Sequence, residues 1–217
     1  MVEDRGLLLD YGGVLTRPVG ESFAAFEEAH GIEPGRSFEV LVAASRTPGG
    51  GLIGALERGE VTAQEFEREL TRLLREAGYD PPDEPLLAGL FDAVRPAGGL
   101  WDVAARARGA GVRTGLLSNS WGTDMYPWDR IEACFDVRVI SGEVGLRKPD
   151  PRIYRLACDR LGVDPAACAF VDDLERNVEV ARELGMFGVV HRGDEREVID
   201  ALAGFLDVDL SVDAGTT

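Results

Sequence analysis

Residues 6–14 read Gly6-Leu7-Leu8-Leu9-Asp10-Tyr11-Gly12-Gly13-Val14. The run 6–9 is small or apolar throughout. As a strand it must be covered on both faces, which is the condition of a parallel sheet. It stops at Asp10, and the Gly12-Gly13 pair then allows a tight, irregular loop. Open α/β sheets bind ligands beyond the carboxyl ends of their strands, so Asp10 is the first suspect for chemistry.

The pattern on either side of this stretch sets the rest of the fold. Downstream of Pro96 helix and strand alternate, with helices expected near 100–108, 124–132, 151–161, 175–184 and 195–205 and strands near 112–118, 137–140, 169–171 and 187–190. This alternation predicts a doubly wound, mostly parallel, Rossmann-like α/β sheet with right-handed crossovers. Residues 18–95 differ. Apolar residues recur there at helical spacing, as in Phe23-Phe26, Phe38-Leu41-Val42, Leu52-Ala55-Leu56 and Phe66-Leu70-Leu73-Leu74. Breakers at Gly31, Pro34, Pro48-Gly49-Gly50-Gly51, Gly59 and Pro81-Pro82 divide them. Thr62, with Glu65 three residues on, is a capping-box signature. The reading is an α-helical cap over 18–95, inserted after the first strand into a core of 1–17 and 96–206, with a flexible tail at 207–217.

Composition narrows the function classes. The 217 residues include 39 acids and 23 Lys or Arg, a formal charge of −16. Such a balance excludes a protein that coats nucleic acid or docks electrostatically on anionic lipid. An anionic substrate stays open, provided a metal ion or a local cation reverses the field. No apolar run reaches the roughly 18 residues of a membrane-spanning helix, and the acidic start at Glu3-Asp4 is unlike a signal peptide. Cys134, Cys158 and Cys168 are odd in number and lack CxxC spacing, so neither a disulfide nor a zinc site is expected and a reducing cytoplasm is the simplest location.

Polar residues at the strand ends form one set: Asp10 after the first strand, Ser118-Asn119 closing the second, Lys148 in the loop before a helix, and Asp172-Asp173 after Ala169-Phe170-Val171. Three close carboxylates call for a cation. A carboxylate can attack phosphorus, while a hydroxyl and an ammonium hold the other phosphoryl oxygens.

Four segments, in order and spacing, resemble the four motifs of the haloacid dehalogenase-like hydrolase superfamily. They are Leu7-Leu8-Leu9-Asp10-Tyr11-Gly12-Gly13-Val14-Leu15, Leu116-Leu117-Ser118-Asn119, Arg147-Lys148-Pro149-Asp150-Pro151 and Phe170-Val171-Asp172-Asp173-Leu174-Glu175-Arg176-Asn177. The likeness spans residues 6–192, and an inserted helical cap is typical of one large branch. It implies Asp10 as nucleophile and catalytic roles for Ser118 and Lys148. It implies phosphoryl or substrate contacts for Ser118, Asn119 and Lys148. A Mg²⁺ site would be formed by Asp10, the Gly12 backbone carbonyl, Asp172 and Asp173. The family's phosphatases usually carry a general acid two positions after the nucleophile; here that position is Gly12.

The expected function is therefore Mg²⁺-dependent hydrolysis of a small phosphorylated metabolite, with neither nucleic acid nor membrane as partner. Two alternatives stand beside it. Dehalogenation of a 2-haloacid expels halide and needs neither metal nor general acid, but does not usually keep the Asp-Asp pair. A weakly catalytic binding or regulatory protein would account for Gly12, but not for the retained acids. Asn119 is read as fixing its loop as readily as orienting substrate, and Asn177 as a structural hydrogen bonder. Trp121, Tyr126 and Trp128 are read as rim packing, and His30 and His191 as incidental. The substrate's identity and the oligomeric state, a homo-oligomer included, are left open.

Overall fold

The structure, a computed structural model, describes residues 4–81, 86–87, 96–122 and 126–211. The expected end of the helical insertion at 88–95, the first residues of the 124–132 helix and residues 212–217 of the tail lie outside the described residues. Strands β1 (Gly6–Leu9), β2 (Arg113–Ser118), β3 (Val137–Ile140), β4 (Cys168–Asp172) and β5 (Phe187–Val190) form one sheet in the order β3-β2-β1-β4-β5. Every pairing is parallel.

β1 sits at the centre, and all four of its residues are buried. Leu7 and Leu9 belong to one apolar layer, with Trp101, Leu202 and Leu206. Leu8 belongs to the layer on the other face, with Ile153, Tyr154 and Phe170. That is the two-residue period of a strand buried on both sides. The covering helices are α5 (Leu100–Gly109), α6 (Trp128–Cys134), α8 (Pro151–Leu161), α9 (Glu175–Glu183) and α10 (Glu195–Leu206), with a four-residue turn of helix, α7 (Ser141–Val144), after β3. The α6 helix starts later than the periodicity suggests, because Pro127 pushes the residue before it out of the helical region.

Between β1 and α5 lie α1 (Val19–Ala29), α2 (Arg36–Ala44), α3 (Gly51–Glu57) and α4 (Ala63–Glu76). They enclose an apolar cluster of their own, with Phe23, Phe26, Leu41, Phe66, Leu70 and Leu74 buried. The capping box is formed: Glu65 N–H donates to Thr62 Oγ1 at 3.2 Å and Thr62 N–H donates to Glu65 Oε2 at 2.8 Å. α2 lacks a cap of its own because its N-cap is Gly35, and Glu27 of α1 supplies one. Its carboxylate accepts the N–H groups of Gly35 at 2.6 Å and Ser37 at 2.8 Å. The chain enters and leaves this helical layer side by side, through an antiparallel bridge between Thr16 and Pro96. Among the described residues no helix is long and apolar enough to cross a membrane.

Register aligns the strand ends. Leu9 is level with Leu116 of β2 and Val171 of β4. Asp10, Ser118 and Asp172 therefore emerge at one edge, where the strand order reverses and an α/β sheet opens a crevice.

Candidate active site

Asp10 follows β1 and stays tied to the sheet, its N–H donating to the Val171 carbonyl at 3.0 Å. Its Oδ1 accepts the Tyr11 N–H at 2.7 Å and faces Lys148 Nζ at 2.7 Å. Oδ2 carries none of the described hydrogen bonds. Lys148 Nζ also reaches Asp172 Oδ2 at 2.6 Å, and the lysine is almost wholly buried. One ammonium thus bridges two carboxylates. Burial alone would lower the Lys148 pKa, but Asp10 and Asp172 raise it, so the side chain stays charged.

Asp172 is held on both oxygens. Leu174 N–H and Asn177 Nδ2 reach Oδ1, each at 2.9 Å, and Asn177 Nδ2 lies 3.1 Å from Oδ2. Asp173 packs against Gly13. A Cβ on Gly13 would come within 2.4 Å of Asp173 Oδ2, and Gly13 has φ +73°, so only glycine fits there. Burial and the neighbouring Asp172 push the Asp173 carboxyl up to about 6. Burial, opposed by Lys148, also holds Asp10 above the usual carboxylate range, with repulsion from Asp172 and Asp173 adding to it.

Carboxylate oxygens of Asp10, Asp172 and Asp173 all lie within 4.8 Å of one another. Three acids gathered around one ammonium form a hard, all-oxygen donor set that fits a small divalent cation. The Gly12 carbonyl carries no described hydrogen bond, and Gly12 lines the same cavity.

Asn119 clamps Lys148 by its backbone: Oδ1 accepts the lysine N–H at 2.8 Å and Nδ2 donates to its carbonyl at 3.1 Å. Ser118 Oγ lies 2.9 Å from the Tyr126 hydroxyl. Burial drives the Tyr126 pKa far up, so the phenol keeps its proton at neutral pH. Asp10, Ser118, Asn119, Lys148 and Asp173 line one cavity of about 1230 Å³ between the sheet edge and the helical layer.

The four motif segments thus meet at one sheet edge, and the sequence comparisons agree with that geometry. Residues 5–185 match the family model described as haloacid dehalogenase-like hydrolase. This chain is a haloacid dehalogenase-like hydrolase.

Over 210 residues it is 32% identical to a phosphoserine phosphatase of Thermus thermophilus, covering 89% of this chain and 81% of that protein. It is 29% identical over 210 residues to mouse acyl-CoA dehydrogenase family member 10, where the match covers 93% of this chain but only 19% of the larger protein. Likewise it spans 36% of the pig bifunctional epoxide hydrolase 2. Among solved structures, a predicted HAD-like family hydrolase from Porphyromonas gingivalis superposes with a TM-score of 0.68 at 25% identity, covering 94% of this chain and 98% of that one. A HAD family enzyme from Bacteroides thetaiotaomicron, solved with magnesium and inorganic phosphate, shares the fold at a TM-score of 0.63 and 24% identity over 88% and 96% of the two chains.

The hydrolase holds further site residues that sequence patterns did not single out. Glu57, at the end of α3, is buried against the core: Oε1 accepts Trp121 Nε1 at 3.0 Å, and Oε2 faces Arg147 Nε at 2.5 Å and Asn119 Nδ2 at 3.4 Å. Tyr126 and Trp121 therefore do more than pack at the rim. His191, outside the cavity lining, places its Nδ1 2.9 Å from the Gly13 carbonyl and so braces the loop after β1. These contacts join residues 8 to 178 positions apart, and local periodicity carries no signal of them.

Gly12 itself is not forced by sterics. Its φ is ordinary, and a Cβ there would meet only Val19 Cγ2 at 3.3 Å.

Proposed function

We infer that the hydrolase is a Mg²⁺-dependent phosphatase acting on small phosphorylated metabolites through a covalent phosphoryl–Asp10 intermediate. The observation that carries this reading is the Lys148 ammonium set between Asp10 and Asp172, with Asp173 beside them, at the floor of the cavity. A 2-haloacid dehalogenase would have no need for that acid pair. A pure binding protein would have no reason to bury a nucleophile among metal-type ligands.

Asp10 Oδ2, free of described partners, attacks phosphorus; the phosphorus–oxygen bond to the leaving group breaks, and the departing oxygen takes its proton from solvent or needs none. Water then attacks the same phosphorus, the phosphorus–Oδ2 bond breaks, and inorganic phosphate and the Asp10 carboxylate are released. Lys148 balances charge on the transferring group, and Ser118 donates a hydrogen bond to a phosphoryl oxygen. Asn119 positions Lys148 through its backbone and lines the cavity beside the substrate. Asp10, Asp172, Asp173 and the Gly12 carbonyl would hold Mg²⁺, which when bound neutralises charge on the phosphoryl oxygens. Residues 18–95 act as the cap that closes over this floor. The three cysteines are buried and unpaired, which fits a reducing compartment.

The test is phosphate release from acetyl phosphate with Mg²⁺, with EDTA, and with Asp10→Asn, alongside halide release from 2-chloropropionate. Phosphate release that EDTA and Asp10→Asn both abolish supports the reading. Halide release without phosphate release would replace it with the dehalogenase.

A further inference from the structure

The cavity has two unlike walls. Its floor is the polar edge already described. Its opposite side is lined from α1, α2 and α3 by Val19, Phe23, Phe38, Val42 and Ile53. Phe38 is 47% exposed and Leu174, directly after the Asp172-Asp173 pair, is 42% exposed. Only three large apolar side chains among the described residues are that open to solvent, and these two both line this cavity. Scattered exposed apolar residues need no explanation, but two that line one cavity, one from α2 and one from the turn before α9, mark a surface waiting for an apolar ligand. Phe38 is set edge-on to Phe23, ring centres 5.3 Å apart, which leaves a ring surface open for a further aromatic contact.

The cavity of about 1230 Å³ is far larger than a phosphoryl group requires, and exceeds the roughly 300–1,000 Å³ of ordinary small-molecule pockets. Both acids that line the cavity from the helical side are already engaged, Glu27 by Gly35 and Ser37 and Glu57 by Trp121 and Arg147, and Arg46 is the cation on that side. Building on the phosphatase reading, we propose that the substrate is a phosphate ester whose leaving group carries an apolar, ring-bearing portion, seated on the apolar lining to which Phe38 and Leu174 both belong. The phosphoryl end sits on the polar floor, and the ring removes Phe38 and Leu174 from water.

The experiment compares kcat/KM for 2-naphthylmethyl phosphate and ethyl phosphate, with acetyl phosphate as a third substrate. The two esters are both phosphates of primary alcohols, so they differ little in leaving-group basicity and mainly in apolar surface. Burial of the ring predicts an advantage of about tenfold or more for the naphthyl ester. Phe38→Ala and Leu174→Ala should each cut that ratio by about threefold or more, and both side chains are exposed enough that the fold survives the change. A ratio at or below one, or a ratio that neither substitution alters, overturns the inference. If acetyl phosphate is still hydrolysed in that case, the phosphatase reading stands. If no ester and no acetyl phosphate is hydrolysed with Mg²⁺ present, both fall together.

Discussion

Lys148 Nζ lies 2.7 Å from Asp10 Oδ1, with both side chains buried at the switch point of the sheet. The pair sets the electrostatics of the whole floor. Without the ammonium, Asp10, Asp172 and Asp173 would face one another uncompensated. Lys148→Met keeps a long apolar stem but removes the charge, and with it the ammonium's place over the Phe170 ring, 5.4 Å from its centre. Loss of one preorganised charge partner should lower kcat by about 100-fold or more. Steady-state kinetics on acetyl phosphate at saturating Mg²⁺ checks this, and a variant within tenfold of wild type would remove Lys148 from its role.

A second prediction concerns metal and pH. Burial and Asp172 raise the folded Asp173 pKa to about 6. A raised acid binds more protons when folded than when unfolded, so the metal-free protein should lose stability as pH rises from about 4 through 6. Mg²⁺ requires the ionised carboxylates. Its stabilising increment in Tm should therefore be small at pH 5 and larger at pH 7.5. Thermal melts with and without Mg²⁺ at the two pH values decide it; an increment that shrinks or stays level would show that these acids do not hold the ion.

Glu27 allows a prediction about stability alone. Burial works against its charge, but hydrogen bonds from Ser37 and from the backbone of Gly35, Ser37 and Phe38 hold the carboxyl below its ordinary pKa. Glu27→Ala removes the cap of α2 and should cost about 1–3 kcal/mol. Because the folded pKa is lowered, the wild-type advantage should be present above the ordinary carboxylate range and fade as pH falls through it. Urea melts of both proteins at pH 7 and pH 4 measure the gap. Equal stability at pH 7 would mean that water caps α2 as well.

The likeness between prediction and structure differs by the range of the interaction. β3 at 137–140, β5 at 187–190 and the helix at 151–161 were legible to the residue, because a short β-branched apolar run that stops at polar residues and a Pro-initiated amphipathic helix are both written into neighbouring residues. Asp10, Ser118, Lys148 and Asp172 could be gathered from sequence because each ends or follows an element whose edge is fixed by sheet topology. The Glu57–Arg147 and His191–Gly13 contacts could not. Glu57 ends a short helix in the inserted layer, and its partners depend on how that layer sits over the sheet, which no local pattern encodes. The α7 turn was missed for a related reason: four residues are too few to show a period.

Gly12 leads to a fourth prediction. Without a carboxylic acid there, turnover of the wild type should depend steeply on leaving-group pKa. Gly12 does not have the positive φ that demands glycine, and a side chain there needs Val19 Cγ2, 3.3 Å from the added Cβ, to give by a few tenths of an ångström. Gly12→Asp should therefore speed phosphates of poor leaving groups more than those of good ones, by a differential of up to about 10²–10⁴-fold. The check is kcat/KM of both proteins over esters of graded leaving-group pKa. Parallel slopes would show that another group already supplies the proton.

The central claim is that phosphorus becomes bonded to Asp10 during turnover. Rapid acid quenching during hydrolysis of acetyl phosphate with Mg²⁺, followed by peptide mass spectrometry across a series of quench times, tests it most directly. The account predicts a single phosphoryl group on the peptide that contains residues 6–14, localised to Asp10 and absent from Asp10→Asn. Phosphate release with no phosphoryl group on Asp10 at any quench time, or with one on another residue, would contradict it.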